Sequence, residues 1–201
     1  TDLSDQGLSF TVTVNPLPTV NITASDTEIC LNQVINLNGN VSSGTAPFTH
    51  LWSGNGQPFL NTSSSETPNF NGSTDGDYTL LYELTDTIGC TASDSIILKV
   101  NPLPIATISG IDSICNGDTT LLVASSGTSF LWSNTSTNDS IFVSPTSDTN
   151  YSITVTDSNS CNNSGNIDVI VNPLPNPSIS GTLIICEGNS TTLTASGGNT
   201  Y

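Results

Sequence analysis

The pentapeptide Val-Asn-Pro-Leu-Pro occurs three times in 201 residues, at positions 14–18, 100–104 and 171–175. No other feature limits the fold as much, because a period must be explained before any single element is assigned. The copies are 86 and 71 residues apart, and each interval has the size of one small sandwich domain. Within each copy the two prolines fix their own φ and hold the preceding Asn and Leu in extended conformations. The motif therefore reads as a short, stiff linker between successive modules.

Other landmarks keep their order between these linkers. Ile29-Cys30, Leu51-Trp52-Ser53, Tyr78, Thr85-Asp86 and Cys90 follow the first copy; Ile114-Cys115, Leu131-Trp132-Ser133, Tyr151, Thr156-Asp157 and Cys161 follow the second. After the third copy the series restarts with Ile185-Cys186, and Tyr201 stands 71 residues after Phe130. The expected organisation is the final strands of a truncated repeat in residues 1–14, complete Ig-like repeats in 15–100 and 101–171, and the first part of another repeat in 172–201. The stretch reads as a window on a longer array.

Period-2 alternation marks strands with one buried face. It is clear in Ser9–Val14, in Tyr151–Thr156 and in Asn166–Val171. Turn residues recur every 8 to 12 positions, and no 12-residue stretch carries helical spacing. The expected fold is all-β: tandem Ig-like or PKD-like antiparallel β-sandwiches of about seven strands, joined by short Pro-rich linkers. Trp52, Trp132, Tyr78 and Tyr151 sit at matching landmarks and are expected in the cores. Exposed tryptophans would instead offer stacking platforms for sugars.

Composition excludes several classes of function. Lys and Arg total one residue against 17 acidic ones, for a net charge of −16. Nucleic-acid binding and direct association with an anionic membrane both need basic residues, so neither is expected. Ser, Thr and Asn number 30, 30 and 23, which suits the outward positions and turns of many short strands. Trypsin has one site, after Lys99, so at most two tryptic fragments are expected.

The cysteines fall one pair to a complete module. Cys30 with Cys90 and Cys115 with Cys161 are the expected disulfides, each contributing about 4 kcal/mol in the chain-entropy model. Cys186 would find its partner beyond the last residue. Such bonds place the chain outside the cytosol. Metal binding by these cysteines lacks a CxxC or a His partner.

Reactive groups are sparse. His50 is the single imidazole, and Ser129 or Phe130 stands at its landmark in the second module, so a repeated catalytic centre cannot be built on it. The expectation is no enzyme and no catalytic residue, with His50 on a strand surface. Asp75-Gly76-Asp77 reads as the turn into the Tyr78 strand. Calcium is the cation that such an acidic, oxygen-rich chain suits, although no EF-hand-like series is present. Lys99 raises the alternative of an isopeptide crosslink, but Ile170 takes its place in the second module, and a solvated strand lysine is expected.

Ile114-Cys115-Asn116-Gly117, Ile185-Cys186-Glu187-Gly188, Gly44–Ser53 and the Tyr151–Cys161 stretch together resemble the PKD-like and Ig-like repeats of Bacteroidota surface proteins, including gliding-motility adhesins and other type IX secreted proteins. The resemblance covers essentially the whole chain, although Leu31-Asn32 replaces the residues after the first Cys and residues 1–14 lack a Cys. It implies export to the cell surface and a role in adhesion or filament building. It also implies O-glycosylation of Ser or Thr between Asp and an apolar residue, a context met at Thr87, Ser95, Ser113 and Ser140. The implied partners are neighbouring repeats, identical chains in a fibre and a surface polysaccharide or host surface. An accessory carbohydrate-binding tandem of a secreted hydrolase is the alternative.

Overall fold

A computed structural model describes residues 11–198. The chain divides into two units, 1–103 and 104–201.

The first unit contains β1 (Thr19–Val20), β2 (Thr23–Ala24), β3 (Glu28–Cys30), β4 (Val34–Asn38), β5 (Val41–Ser43), β6 (Thr49–Ser53), β7 (Asn69–Asn71), β8 (Gly76–Thr85) and β9 (Thr91–Asn101). One sheet has the order β2-β4-β7 and the other β3-β9-β8-β6, with β1 pairing β5 at the side. The second unit contains β10 (Ile108–Gly110), β11 (Ser113–Cys115), β12 (Thr120–Ala124), β13 (Ser129–Trp132), β14 (Ser140–Val143), β15 (Thr149–Thr156) and β16 (Asn162–Asn172). Its sheets run β10-β12-β14 and β11-β16-β15-β13. Both units are thus Ig-like sandwiches of three strands on four, each with an opening segment that starts on one sheet and crosses to the other.

Alternation decides which face is inside. Along β8, Tyr78, Leu80, Tyr82 and Leu84 are buried while Thr79, Leu81 and Glu83 are exposed. Trp52 and Trp132 are 1% and 2% exposed, and their indole N–H groups donate to Ser65 O and Asn138 O at 2.8 Å. They fill the space between the sheets, so neither offers a platform for a ligand. The two cores are separate: Ile35, Leu37, Trp52, Phe70, Tyr82 and Leu98 among others in the first, and Leu122, Trp132, Ile141, Ile153 and Val169 among others in the second.

Strand register separates the two tyrosines that share a landmark in the sequence. Thr85 opposes Thr49, and Thr156 opposes Ser129. Counting back from these threonines sets Tyr151 level with Leu80, two positions from the level of Tyr78. Tyr78 is buried and donates its hydroxyl to Thr74 O at 2.8 Å, the tyrosine corner of such sandwiches. Tyr151 is half-buried and packs on the edge of the second core. The same register sets Phe130, not Ser129, at the level of His50.

After the third linker motif, β17 (Ser178–Gly181) pairs antiparallel with β18 (Leu193–Ser196), both exposed. The stretch Ile184–Cys186, level with β11, forms no strand. Parallel pairing to β16 holds β11 in place, and no counterpart of β16 follows among the described residues. The expected strand over Ser9–Val14 lies partly outside the described residues, as does Tyr201. Residues 11–14 carry no strand, and Val12 and Val14 are exposed.

Candidate functional site

The linker motif has a structural task inside each unit. Val100 is buried in the first core, and Asn101 is 3% exposed. The Asn101 side chain donates to Glu28 Oε1 at 2.9 Å, and its carbonyl accepts from Leu31 N–H at 2.8 Å. These bonds tie β3 to the end of β9. Asn172 repeats the arrangement, donating to Ser113 Oγ at 2.9 Å and accepting from Asn116 N–H at 2.9 Å. Sequence reading saw the prolines and missed the Asn, whose signal was its recurrence at one register position. Glu28 also pairs with Lys99 at 3.0 Å. The Asn101 amide and then Lys99 hold the Glu28 carboxyl below its ordinary range. Lys99 is therefore an exposed strand residue in an ion pair.

At the other end of the second unit, the chain leaving the linker crosses the β15–β16 hairpin. Asn163 donates to Pro104 O at 3.0 Å. A Cβ at Gly165 would lie 2.0 Å from Ala106 O, so only glycine admits the backbone here. The hairpin turns are themselves alike. Asp86 Oδ1 accepts from Ile88 N–H and Cys90 N–H at 2.9 and 2.8 Å, and Asp157 Oδ1 accepts from Asn159 N–H and Cys161 N–H at 2.9 Å each. Burial opposes ionisation of Asp86, but the backbone N–H groups of Cys90, Ile88, Thr45 and Gly89 outweigh it and hold the carboxyl below the ordinary aspartate value. Gly89 and Ser160, at the same place in the two turns, both have positive φ, 87° and 63°.

These placements overturn the expected disulfides. Cys30 pairs in register with Asn101 at one end of β9, while Cys90 precedes Thr91 at the other end. Ten residues of strand, about 33 Å, separate those ends. Cys115 pairs with Asn172 and Cys161 precedes Asn162, so the same length of β16 separates the second pair. A disulfide needs Cα atoms within about 7 Å, and neither pair qualifies. Cys90, Cys115 and Cys186 are free thiols, whereas Cys30 and Cys161 are disulfide-bonded.

His50 is half-buried rather than a plain surface residue. Its Nδ1 lies 2.6 Å from the Tyr82 hydroxyl, and the rings stack. Burial, and then the charge of Glu66, push the Tyr82 phenol up to about 12, so it stays protonated. Val155 at the β13–β15 ladder opposes Phe130, where Leu84 opposes His50, and nothing like the His–Tyr pair recurs in the second unit. Asp75 and Asp77 flank Gly76 at the start of β8, and both are exposed. Among the described residues, no group of three or more His, Cys, Asp or Glu is placed to hold a metal ion. Thr87, Ser95 and Ser113 are exposed and Ser140 is half-buried. Ser113 Oγ is engaged by Asn172, and Ser140 donates to Asp139 at 3.0 Å.

The first unit carries a shallow cleft of about 420 Å³ beside the long β6–β7 connection. Val34, Phe59 and Leu60 give it an apolar floor, and Asn61, Asn69 and Asn71 bring amides to its rim. Phe59 is anchored on Phe70 and Tyr78, with ring centroids at 5.9 and 4.8 Å. The connection spans residues 54–68, against 133–139 in the second unit, so this cleft is not a repeated feature. It holds no charged group, and its chemistry suits a neutral, hydroxyl-bearing ligand.

No protein-family model matches the chain, and no curated protein matches it. Similar solved structures include a Bacteroides ovatus mixed-linkage glucan utilization protein, SGBP-B, in complex with a mixed-linkage heptasaccharide. That pair is 20% identical over 79% of this chain, with a TM-score of 0.33, and this chain spans only 48% of SGBP-B. Fibronectin(III)-like modules of Clostridium thermocellum CbhA are 14% identical over 76% of this chain and 95% of theirs, with a TM-score of 0.37. The I-band fragment I67–I69 of titin is 11% identical over 91% of this chain and 77% of its own, with a TM-score of 0.44.

Proposed function

We propose that the chain belongs to a non-enzymatic, extracellular array of Ig-like modules that serves as a stiff stalk or adhesive fibre at a cell surface. The repeats resemble those of Bacteroidota surface proteins exported by type IX secretion, and their immediate partners are neighbouring modules. The observation that carries this reading is the repeated Asn clamp: Asn101 and Asn172 do the same structural work at the end of both sandwiches. The Asn fastens the start of each Pro-rich linker to the module before it. Disulfide-bonded cysteines support an oxidising location. Lack of a catalytic role is supported by His50, the single imidazole of the sequence, which has no counterpart in the second unit. Small-angle scattering of the oxidised chain tests the stalk: an elongated particle of fixed length is expected, and a compact or broadly distributed one overturns it.

The cleft favours a second reading, in which the first unit binds a polysaccharide. An apolar lining with a few convergent polar groups is the common make-up of a small-ligand site, and here those groups are uncharged amides. A glycan array of the whole chain tests it, with Asn71→Ala expected to abolish any binding seen. Absence of binding to every neutral glycan removes this reading and leaves the stalk intact.

A further inference from the structure

We propose that β14 of the second unit is a docking edge for a second copy of the chain, the two β14 strands pairing antiparallel about a two-fold axis. The first unit shows how such an edge is closed. There Trp52 donates to Ser65 O and Gly39 N–H to Glu66 O; in the second unit Trp132 donates to Asn138 O and Ala124 N–H to Asp139 O. Counting three residues on from Glu66 and from Asp139 sets Asn69 of β7 level with Phe142 of β14. The outer edge of β7 is covered by its own chain. Leu60 bridges Phe70 antiparallel, Asn61 N–H donates to Asn69 O at 3.0 Å, and Asn69 N–H donates to Asn61 Oδ1 at 2.8 Å. The connection 133–139 lacks the residues that make this cover, and β14 stands at the end of its sheet. Because Ala124 N–H bonds Asp139 O, alternation in the antiparallel ladder turns Ile141 and Val143 toward β12 and the backbone groups of Ser140 and Phe142 outward. Among the described residues, nothing outside the ladder bonds those outward groups.

Charge and shape select the occupant. Ser140–Val143 holds no ionisable side chain, and the face beside it is apolar: Phe142 is 75% exposed and opposes Leu121, with Val123 exposed on the same side. The first unit carries Asn69, Asn36 and Asn38 at these levels. In a chain of net charge −16, an uncharged apolar strip is where two acidic copies can approach, whereas a cationic partner would seek the carboxylates. A two-fold axis through Ile141 sets Ser140 opposite the partner's Phe142. Each strand brings two N–H and two C=O groups, so the pair closes four hydrogen bonds and joins two three-stranded sheets into one. The two Phe142 rings then lie diagonal to one another, within aromatic reach. Such a contact is isologous and closes on itself, and its small area makes a reversible dimer. The edge belongs to the second unit alone, so the inference depends on neither the stalk nor the polysaccharide reading.

Sedimentation of the whole chain, with its free thiols alkylated so that no intermolecular disulfide contributes, reads the association. A monomer–dimer equilibrium is expected, and the dimer fraction should rise between about 0.05 and 0.5 M salt as the repulsion of like charges is screened. A chain that stays monomeric up to about 1 mM, or a dimer that dissociates as salt rises, overturns the proposal. Phe142→Pro removes an outward N–H and the ring while sparing the bonds to β12, a place where an edge strand admits proline. It is expected to abolish the dimer while Trp132 fluorescence reports an intact core. Phe142→Asn keeps the N–H, gives the edge the residue found at this level in the first unit, and is expected to weaken the dimer by about tenfold or more; it serves if the proline variant fails to fold. Leu131→Asn, at an exposed apolar position on the other sheet, is expected to leave association unchanged. A dimer unaffected by either Phe142 variant, or one lost in Leu131→Asn, places the contact elsewhere and refutes the assignment.

Discussion

Cys30 faces Asn101 across the parallel β3–β9 ladder, at the end of the strand that runs into the linker. That pairing ties the linker motif to β3 and holds Cys30 at the far end of β9 from Cys90.

Loss of the clamp should loosen the first sandwich. Asn101 is buried, bonded to Glu28 and in line with Leu31 N–H. Asn101→Ala leaves Glu28 without its amide partner and is expected to cost about 1–3 kcal/mol. Denaturant titration of the full chain checks this, and an unchanged first transition would show that the clamp is ornamental.

The tryptophans should each govern one core. Trp52→Ala and Trp132→Ala are expected to cost about 3–5 kcal/mol in their own unit, leaving the other unit little affected because the two cores share no residues. Chemical denaturation followed by the fluorescence of the remaining tryptophan separates the units.

Gly165 should tolerate no side chain. Ala106 O occupies the place of its Cβ at 2.0 Å, so Gly165→Ala must push the incoming chain off the hairpin. A loss of about 1–3 kcal/mol is expected from overpacking. Hydrogen exchange at Thr107, whose carbonyl and N–H bond Ser125, is expected to quicken in the variant.

Acid should weaken the first unit through Asp86 and Glu28. Both carboxyls are held below their ordinary values in the folded chain, so the folded state binds fewer protons than the unfolded one in that window. The stabilisation is fully present above the unfolded values, about 4, and fades as pH falls through the folded ones. Melting temperature against pH checks the sign: Asp86→Asn is expected to flatten the acid limb, and a steeper limb in the variant would contradict it.

Legibility differs between the core and the cysteines for a physical reason. Trp52 and Trp132 announce themselves because alternation and burial are local properties of a strand. Tyr78 and Tyr151 look equivalent in sequence, yet register sets them two positions apart, since register is fixed between strands. The cleft beside Phe59 gave no signal at all, because it arises where a long connection folds back on β4 and β7.

The sequence alone determined that this chain is all-β with buried tryptophans and acidic, basic-poor in composition, because alternation and charge are properties of the chain itself. Only the tertiary structure decided that the two cysteines of each repeat are out of reach of one another. A pair that looks natural within one repeat is held at opposite ends of a strand about 33 Å long, a distance that no count of residues along the sequence reveals.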